Sequence, residues 1–473
     1  MFDSIHEECG VFGVFEFKAR NVAKDVYYGL YSLQHRGQES CGIAVCSQGV
    51  IKHTKGIGLV HEVFDTNAIN EIGTGNMAIG HVRYSTTGGN NINNVQPIVV
   101  RHNKGNLALA HNGNLTNANK IKKEFEENGA IFHGTSDTET ISYEIVKERI
   151  ASNSIEEAIA STMRKIKGAY SCVALSSQKL IAFRDPNGFR PLCLGKTRHG
   201  GYVISSESCG IDSIGGTFIR EIEPGEIVVI SKEGLTSIQT PKAPKKSLCI
   251  FEYIYFARPD SVIEGISVHE ARQRAGMILA RESHVDADVV IGVPDSGLDA
   301  ALGYSKESGV PYGIGFIKNK YIGRSFIAPS QEEREYAVKI KLNVIKDTVK
   351  DKRVILIDDS IVRGTTSKRI IQLLKDAGAK EVYMRVTAPA FKFPCHFGTD
   401  VDSQENLIAC KYESNDEICK LIGADSLSYI SIKGVHELAN DLDCSYCDGC
   451  FSGVYPIEVP KDEESVAKYS LSL

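Results

Sequence analysis

No stretch of the 473-residue sequence comes near the roughly 18–20 consecutive apolar residues that cross a bilayer. The opening MFDSIHEE also lacks the basic start and apolar centre of an export signal. A membrane-spanning or secreted protein is therefore not expected, and a cytoplasmic location without a membrane partner is the default reading. Neither sign of charge dominates. The 54 lysines and arginines face 59 aspartates and glutamates, a net charge of −5, so no general attraction to nucleic acid is expected and an anionic ligand has to be held locally. Internal repeats are absent, which excludes a solenoid. The 13 cysteines, an odd number spread over a long chain, do not read as a disulfide framework; they read as thiols or metal ligands.

What is present divides the chain. Its length suits two or three domains, each burying its own core. From Cys9 to about Thr240, short β-rich runs such as GGYVISSE and GEIVVI alternate with glycine turns and helical stretches such as Ser154–Ile166. This pattern predicts a layered α+β domain. The stretch TPKAPKK, residues 240–246, mixes proline with lysine, carries no periodic apolar signal and reads as a linker. Beyond it, DVVIGV, RVILIDD and EVYMRVTAP are apolar strands separated by helical segments, one of them SKRIIQLLKDAGAK, which predicts βαβ units and a parallel sheet. After Pro460 the tail is polar and charged.

The most informative segment is RVILIDDSIVRGTTSKRII, residues 353–371. A buried strand ends in Asp358 and Asp359, at the carboxyl edge where open α/β sheets bind ligands. Arg363, Gly364, Thr365, Thr366 and Ser367 then lead into an amphipathic helix. A glycine and small hydroxyl residues let backbone N–H groups close on a phosphate, and the helix N-terminus adds its positive dipole end. A generic strand ending in acids is the plain alternative. The stretch resembles the phosphoribosyl pyrophosphate (PRPP) signature of type I phosphoribosyltransferases. That resemblance implies that the acidic pair meets the ribose hydroxyls or Mg²⁺ and that the loop from Arg363 to Ser367 holds the 5-phosphate. GVPDSG, residues 292–297, is similar to the family's diphosphate loop, which puts Asp295 and Ser296 beside the metal, with Ser296, Asp358 and Asp359 as its ligands. IKNKYIGRSFIAPSQEERE, residues 317–335, interleaves cations with aromatics, as a lid over a polyanion requires; Lys318 and Arg324 are its expected diphosphate contacts.

In the first half, CGVFG (9–13), QHRGQESCGIA (34–44), HVRYSTTG (81–88), HNGNL (111–115) and SDTE (136–139) are individually weak. In this order they resemble the N-terminal-nucleophile (Ntn) glutamine amidotransferases. If Glu8–Cys9 is cleaved, Cys9 carries both a thiol and a free α-amine, whose ordinary pKa of ~7.7–8.0 suits a general base. Met1–Glu8 is then a propeptide, and its expected removal is by attack of the Cys9 thiol on the Glu8 carbonyl. The resemblance further implies that Asn112 and the Gly113 N–H stabilise the oxyanion. It also has Arg83 pairing with the glutamine α-carboxylate and Asp137 with its α-ammonium, Tyr84 as a reporter between sites, and His35, His81 and His111 in structural roles.

Together the two halves resemble the amidophosphoribosyltransferase family, with RDPNGFRPL (184–192), FARPDS (256–261) and FSGVYP (451–456) extending the match. The expected architecture is a four-layer Ntn hydrolase sandwich followed by an α/β phosphoribosyltransferase domain with a parallel sheet. Its expected segments are a propeptide 1–8, a glutaminase domain 9–240, a linker 241–247, a transferase domain 248–456 and a tail 457–473. The implied activity is a pentosyltransfer: glutamine is hydrolysed and the ammonia passes to C1 of PRPP, giving 5-phosphoribosylamine, pyrophosphate and glutamate at the start of purine synthesis. A homotetramer inhibited by purine nucleotides is also implied, with no nucleic-acid partner. Alternatives are an Ntn amidotransferase with another phosphosugar acceptor, or a PRPP-sensing regulator without catalysis. CSYCDGC spaces Cys444, Cys447 and Cys450 as metal ligands. The family's iron–sulfur subgroup implies a [4Fe–4S] cluster on Cys249, Cys395, Cys447 and Cys450, with Cys444 a spare and Cys₄ zinc the chemical alternative. Cys41, Cys46, Cys172, Cys193, Cys209, Cys410 and Cys419 read as small core residues.

Overall fold

The structure, a computed structural model, describes residues 9–84, 91–319, 342–401, 403–439 and 445–460. The expected propeptide, Arg324 with most of the expected lid, Cys444 and the tail from residue 461 lie outside these residues.

Two antiparallel sheets form the first half. One has seven strands, in spatial order Thr217–Glu221, Cys193–Lys196, Tyr202–Ser205, Gly10–Asn21, Thr74–Arg83, Ser40–Ser47 and Val50–Ile57. The other has six, in the order Gly234–Gln239, Glu226–Ser231, Leu180–Arg184, Gly168–Leu175, Gly105–Leu115 and Ile98–His102. Alternation along the strands places the layers. On Gly10–Asn21, Val11 and Phe15 pack between the sheets with Ile79, Ala110 and Val173. Phe12 and Val14 face the other way and cover Val22, Val26 and Leu30 of the helix Val22–Ser32. Across the second sheet, Leu109, Cys172 and Phe183 meet Ile141, Ile145 and Ile159 from the helices Asp137–Ala151 and Ile155–Met163. The result is the four-layer sandwich. The helix expected over 154–166 begins after Ser154, whose side chain caps the Glu157 N–H, and ends at Met163.

The stretch 240–246 carries no regular element and is tied along the loop after Arg184. Ala243 N–H donates to Pro186 O at 2.9 Å, and Ser247 N–H to Asn187 O at 2.8 Å. In the second half, Val289–Gly292, Arg353–Asp358, Glu381–Val386 and Ser426–Tyr429 pair in parallel. Such a sheet is covered on both faces. Val290, Ile355 and Ile357 pack under the helices Val268–Glu282 and Gly297–Ser308. Val289, Ile291, Val354 and Leu356 pack under Thr365–Asp376 and Asn415–Ile422. Of the cysteines expected in the core, Cys41, Cys46, Cys172, Cys193, Cys209 and Cys419 are buried. Cys410 is not: it is exposed on the short helix Ile408–Lys411, where its Sγ reaches Lys392 O at 3.3 Å. Among the described residues no helix is long and apolar enough to cross a membrane.

Candidate active site

Cys9 precedes the strand Gly10–Asn21 and opens on a polar pocket shared with Arg83, Tyr84, Gln96, His111, Gly113, Ser136 and Asp137. Each arrives on a different part of the sandwich. Arg83 ends the strand Thr74–Arg83, His111 and Gly113 lie on Gly105–Leu115, and Asp137 opens the helix Asp137–Ala151. Four of the five residues expected to handle glutamine are thus together. The fifth, Asn112, does not line the pocket; its side-chain nitrogen is buried beside Gly113 without a hydrogen-bond partner among the described residues. Gly113 sits at φ +139°, and a Cβ there would lie 2.1 Å from Ala169 O, so no other residue fits this turn of the strand.

Side chains complete the strand edge here. Pairing with Ile98–His102 stops at Ile98 opposite Leu109, two residues before His111. His111 N–H donates instead to Gln96 Oε1 at 2.7 Å, and His111 O meets His81 Nε2 at 3.0 Å. Burial pushes His81 down to about 3, so its ring is neutral and Nε2 carries the proton it donates. His111 Nδ1 lies 3.5 Å from Asp137 Oδ1. Burial alone would raise the Asp137 carboxyl; the facing His111 and the N–H groups of Leu115 and Thr138 outweigh it and hold it below its ordinary value. Asp137 is therefore an anion facing the pocket, the charge an ammonium group needs. His81 and His111 both hold structure, as their structural reading expects.

The backbone of Cys9 is fixed from the far side. Its Sγ contacts Tyr84 O at 3.5 Å, and its carbonyl accepts from Arg36 Nε at 3.1 Å. Arg36 is fully buried and forks onto Glu252 at 2.8 and 2.9 Å while donating to Glu207 at 2.6 Å. Glu207 also receives His35 at 2.8 Å, Ser261 Oγ at 2.6 Å and Arg258 N–H at 2.9 Å. Glu252, Arg258 and Ser261 belong to the second half of the chain, so the charge cluster behind the thiol spans both halves. Sequence reasoning missed this role of Arg36, although QHRG marked the position. It missed Gln96 entirely, and NNVQPI carries no signal that would have found it.

The second group lies at the carboxyl edge of the parallel sheet. Asp358 and Asp359 are buried, Ser296 Oγ donates to Asp359 Oδ1 at 2.5 Å and Ser360 Oγ to Oδ2 at 2.6 Å. Asp295, one residue before Ser296, pairs with Lys318. Gly364, at φ +86°, turns the chain into the helix Thr365–Asp376, so Thr365, Thr366 and Ser367 form its first turn. Arg363 directly precedes that turn. A dense oxygen cluster thus faces a helix N-terminus across one strand end, an arrangement that suits a hard cation and a phosphate.

Cys249, Cys395, Cys447 and Cys450 line one apolar pocket with Phe189, Phe251 and Phe391. The strands Ser247–Cys249 and Ser445–Cys447 pair in parallel with Cys249 opposite Cys447. None of the four is in a disulfide. Among the described residues no three His, Cys, Asp or Glu side chains stand close enough for a single ion. The loop carrying Cys395 touches the strand that carries Gly113, where Asn114 Nδ2 donates to His396 O at 2.9 Å, and it also accepts at Phe397 O from Arg190 Nη2 at 2.8 Å.

Comparison with known proteins finds one domain family in each half of the chain. Residues 81–212 match a glutamine amidotransferase domain and residues 266–390 a phosphoribosyl transferase domain. An amidophosphoribosyltransferase of Archaeoglobus fulgidus is 48% identical over 457 residues, covering 96% of this chain and 99% of the relative. A Bacillus subtilis structure, glutamine phosphoribosylpyrophosphate amidotransferase complexed with ADP and GMP, superposes with a TM-score of 0.89 at 45% identity, covering 96% of this chain and 98% of that one. A structure described as the allosteric regulatory enzyme of purine biosynthesis gives 0.90, also at 45% identity, over 96% of this chain and 97% of that one.

Proposed function

From the premise that the chain belongs to the amidophosphoribosyltransferase family, we propose how its residues divide the family's reaction. The enzyme hydrolyses glutamine and transfers the ammonia to C1 of PRPP, releasing pyrophosphate and glutamate and forming 5-phosphoribosylamine. The observation that carries the assignment is the gathering of Cys9, Arg83, Gly113 and Asp137 on one pocket, with the Asp358–Asp359–Ser296 cluster at the sheet edge of the other half.

In the glutaminase half, residues 9–240, the Arg83 guanidinium takes the α-carboxylate and the Asp137 carboxylate the α-ammonium, which fixes the amide over the Cys9 thiol. After removal of residues 1–8, the Cys9 amine accepts the thiol proton as sulfur attacks the amide carbon. The Gly113 N–H and the Asn112 amide stabilise the oxyanion, about 2.7–4 kcal/mol per donor in comparable sites. The same amine returns the proton to the departing ammonia, and water then releases glutamate. In the transferase half, residues 248–456 beyond the linker 241–247 and before the tail 457–473, Arg363, Gly364, Thr365, Thr366 and Ser367 bind the 5-phosphate. Lys318 and Arg324 meet the diphosphate. Ser296, Asp358 and Asp359 supply the oxygen ligands that suit Mg²⁺, which when bound neutralises charge on the diphosphate. Ammonia must pass internally, because in water at neutral pH it is mostly protonated and non-nucleophilic.

The gathering of four soft thiols in one apolar pocket supports the [4Fe–4S] reading, with Cys₄ zinc the chemical alternative. As the transfer is not a redox reaction, the cluster's role is structural. It would staple the strands Ser247–Cys249 and Ser445–Cys447 to the Cys395 loop. Purified protein is expected to contain iron and acid-labile sulfide; colourless protein with one zinc per chain would overturn the assignment. A homotetramer, a cytoplasmic location and feedback by purine nucleotides complete the proposal, the last supported by the ADP and GMP of the Bacillus subtilis relative.

The test is stoichiometry. With glutamine, PRPP and Mg²⁺ the enzyme is expected to release glutamate and pyrophosphate in equal amounts, with little glutaminase activity when PRPP is omitted. Glutamate without pyrophosphate would favour a different phosphosugar acceptor; neither product would favour a PRPP sensor.

A further inference from the structure

Gln96 is 3% exposed, and the two ends of its amide do different work. Oε1 accepts the His111 N–H at 2.7 Å. A backbone N–H can only donate, so the oxygen must face the strand, and this fixes which way the amide lies. Nε2 is turned away from the strand, and the described residues give it no acceptor, while the side chain lines the pocket with Cys9, Arg83 and Asp137. A two-hydrogen donor is therefore left at the wall of the pocket.

Register decides which end of that substrate it meets. On the strand Ser40–Ser47, Ser40 stands opposite Arg83 and Gly42 opposite His81. Gly42 is the residue on which Gln96 rests: a Cβ there would lie 2.3 Å from Gln96 O. The Gln96 backbone thus packs two strand positions from Arg83, and both residues line the pocket. An ammonium group offers only donors and cannot accept from Nε2. The amide carbonyl is committed to Cys9 and Gly113. The α-carboxylate, drawn to Arg83, is the acceptor that remains.

We infer that Gln96 is a specificity-determining residue that donates from Nε2 to the substrate α-carboxylate beside Arg83, while its Oε1 holds the oxyanion strand in place. This rests on the assignment of the pocket to glutamine.

Two variants separate the two ends of the amide. Gln96→Glu keeps an oxygen for His111 but replaces the donor with a negative charge facing a carboxylate. Its KM for glutamine is expected to rise about 10–100-fold, the scale of a lost charge-assisted hydrogen bond, with kcat close to that of the parent. Gln96→Leu loses both ends and is expected to lower kcat as well. The ammonium-driven reaction at the second site reports that each variant is folded. A parental KM in Gln96→Glu would overturn the inference and leave Gln96 as a prop for His111. A fall in kcat without a rise in KM would also overturn it, because it would put the donor on the oxyanion instead. Failure of the glutamine assignment looks different: the parent enzyme itself would then release no glutamate.

Discussion

Cys9→Ala is expected to abolish glutamine-driven formation of 5-phosphoribosylamine, by at least about 10⁴-fold, while ammonium-driven formation persists. The magnitude follows from removing the atom that forms the covalent intermediate, since binding and oxyanion contacts alone leave only residual turnover. Persistence follows from the structure. The Cys9 carbonyl is anchored by Arg36 through the backbone, so the substitution leaves that contact in place. The residue lies partly open on a pocket and not in a packed core, so the loss of one sulfur leaves no large cavity. The oxygen cluster around Asp359 belongs to the other half and is untouched. Parallel assays with glutamine and with ammonium salts read the two outcomes. Equal loss of both in a folded protein would sink the two-site reading. If residues 1–8 are removed by the Cys9 thiol, as proposed, the variant is also expected to retain them by intact mass.

The parts of this molecule legible in the sequence are those where local rules and burial agree. VILI is apolar because its strand is covered on both faces, and Asp358 and Asp359 follow at its carboxyl end. The helix was readable from its amphipathic period, although it begins at Thr365, directly after Gly364 at φ +86°, so the TTS expected to lead into it forms its first turn. Pocket residues came from motif order: Cys9, Arg83, Gly113 and Asp137 converge from four elements. What stayed hidden are contacts set by topology alone. Gln96 and His81 replace a missing neighbour strand at His111 from 15 and 30 residues away, and no local pattern marks a side chain for that task. The cysteines were half legible. Spacing marked Cys447 and Cys450, whereas the presence of Cys249 and Cys395 in the same pocket rests on how strands and loops meet. Asn112 follows His111 on the same strand, and its buried side-chain nitrogen has no hydrogen-bond partner among the described residues, a donor that only the fold reveals.

Arg36→Met is expected to have the largest effect on stability. Arg36 is the cation between two fully buried carboxylates from different halves of the chain, Glu207 and Glu252. Removing it leaves Glu252 facing Arg190 at 3.6 Å and Glu207 with His35, Ser261 and the Arg258 N–H, so the cost is expected to approach the figure of about 3–5 kcal/mol typical of a broken buried pair. The dependence on pH identifies the cause. Burial opposes the ionised form of Glu207, but His35 and Arg36 outweigh it and hold its carboxyl far below the ordinary 4.5. A folded value below the unfolded one contributes stability that is present above about 4.5 and is lost as pH falls. With Arg36 gone that contribution shrinks, so the deficit of the variant is expected to be greatest near neutrality and to narrow as the pH drops below about 4.5. Denaturant melts at pH 7 and pH 4 measure the difference. Function should follow geometry: the Cys9 carbonyl loses the Arg36 Nε–H, so kcat with glutamine should fall more than kcat with ammonium. Arg36→Lys sharpens the test, because it keeps the charge but cannot reproduce the fork to Glu252 together with the bonds to Glu207 and the Cys9 carbonyl. It should recover part of the stability and little of the preference for glutamine. A deficit independent of pH would mean that packing around residue 36, and not the charge cluster, holds the halves together.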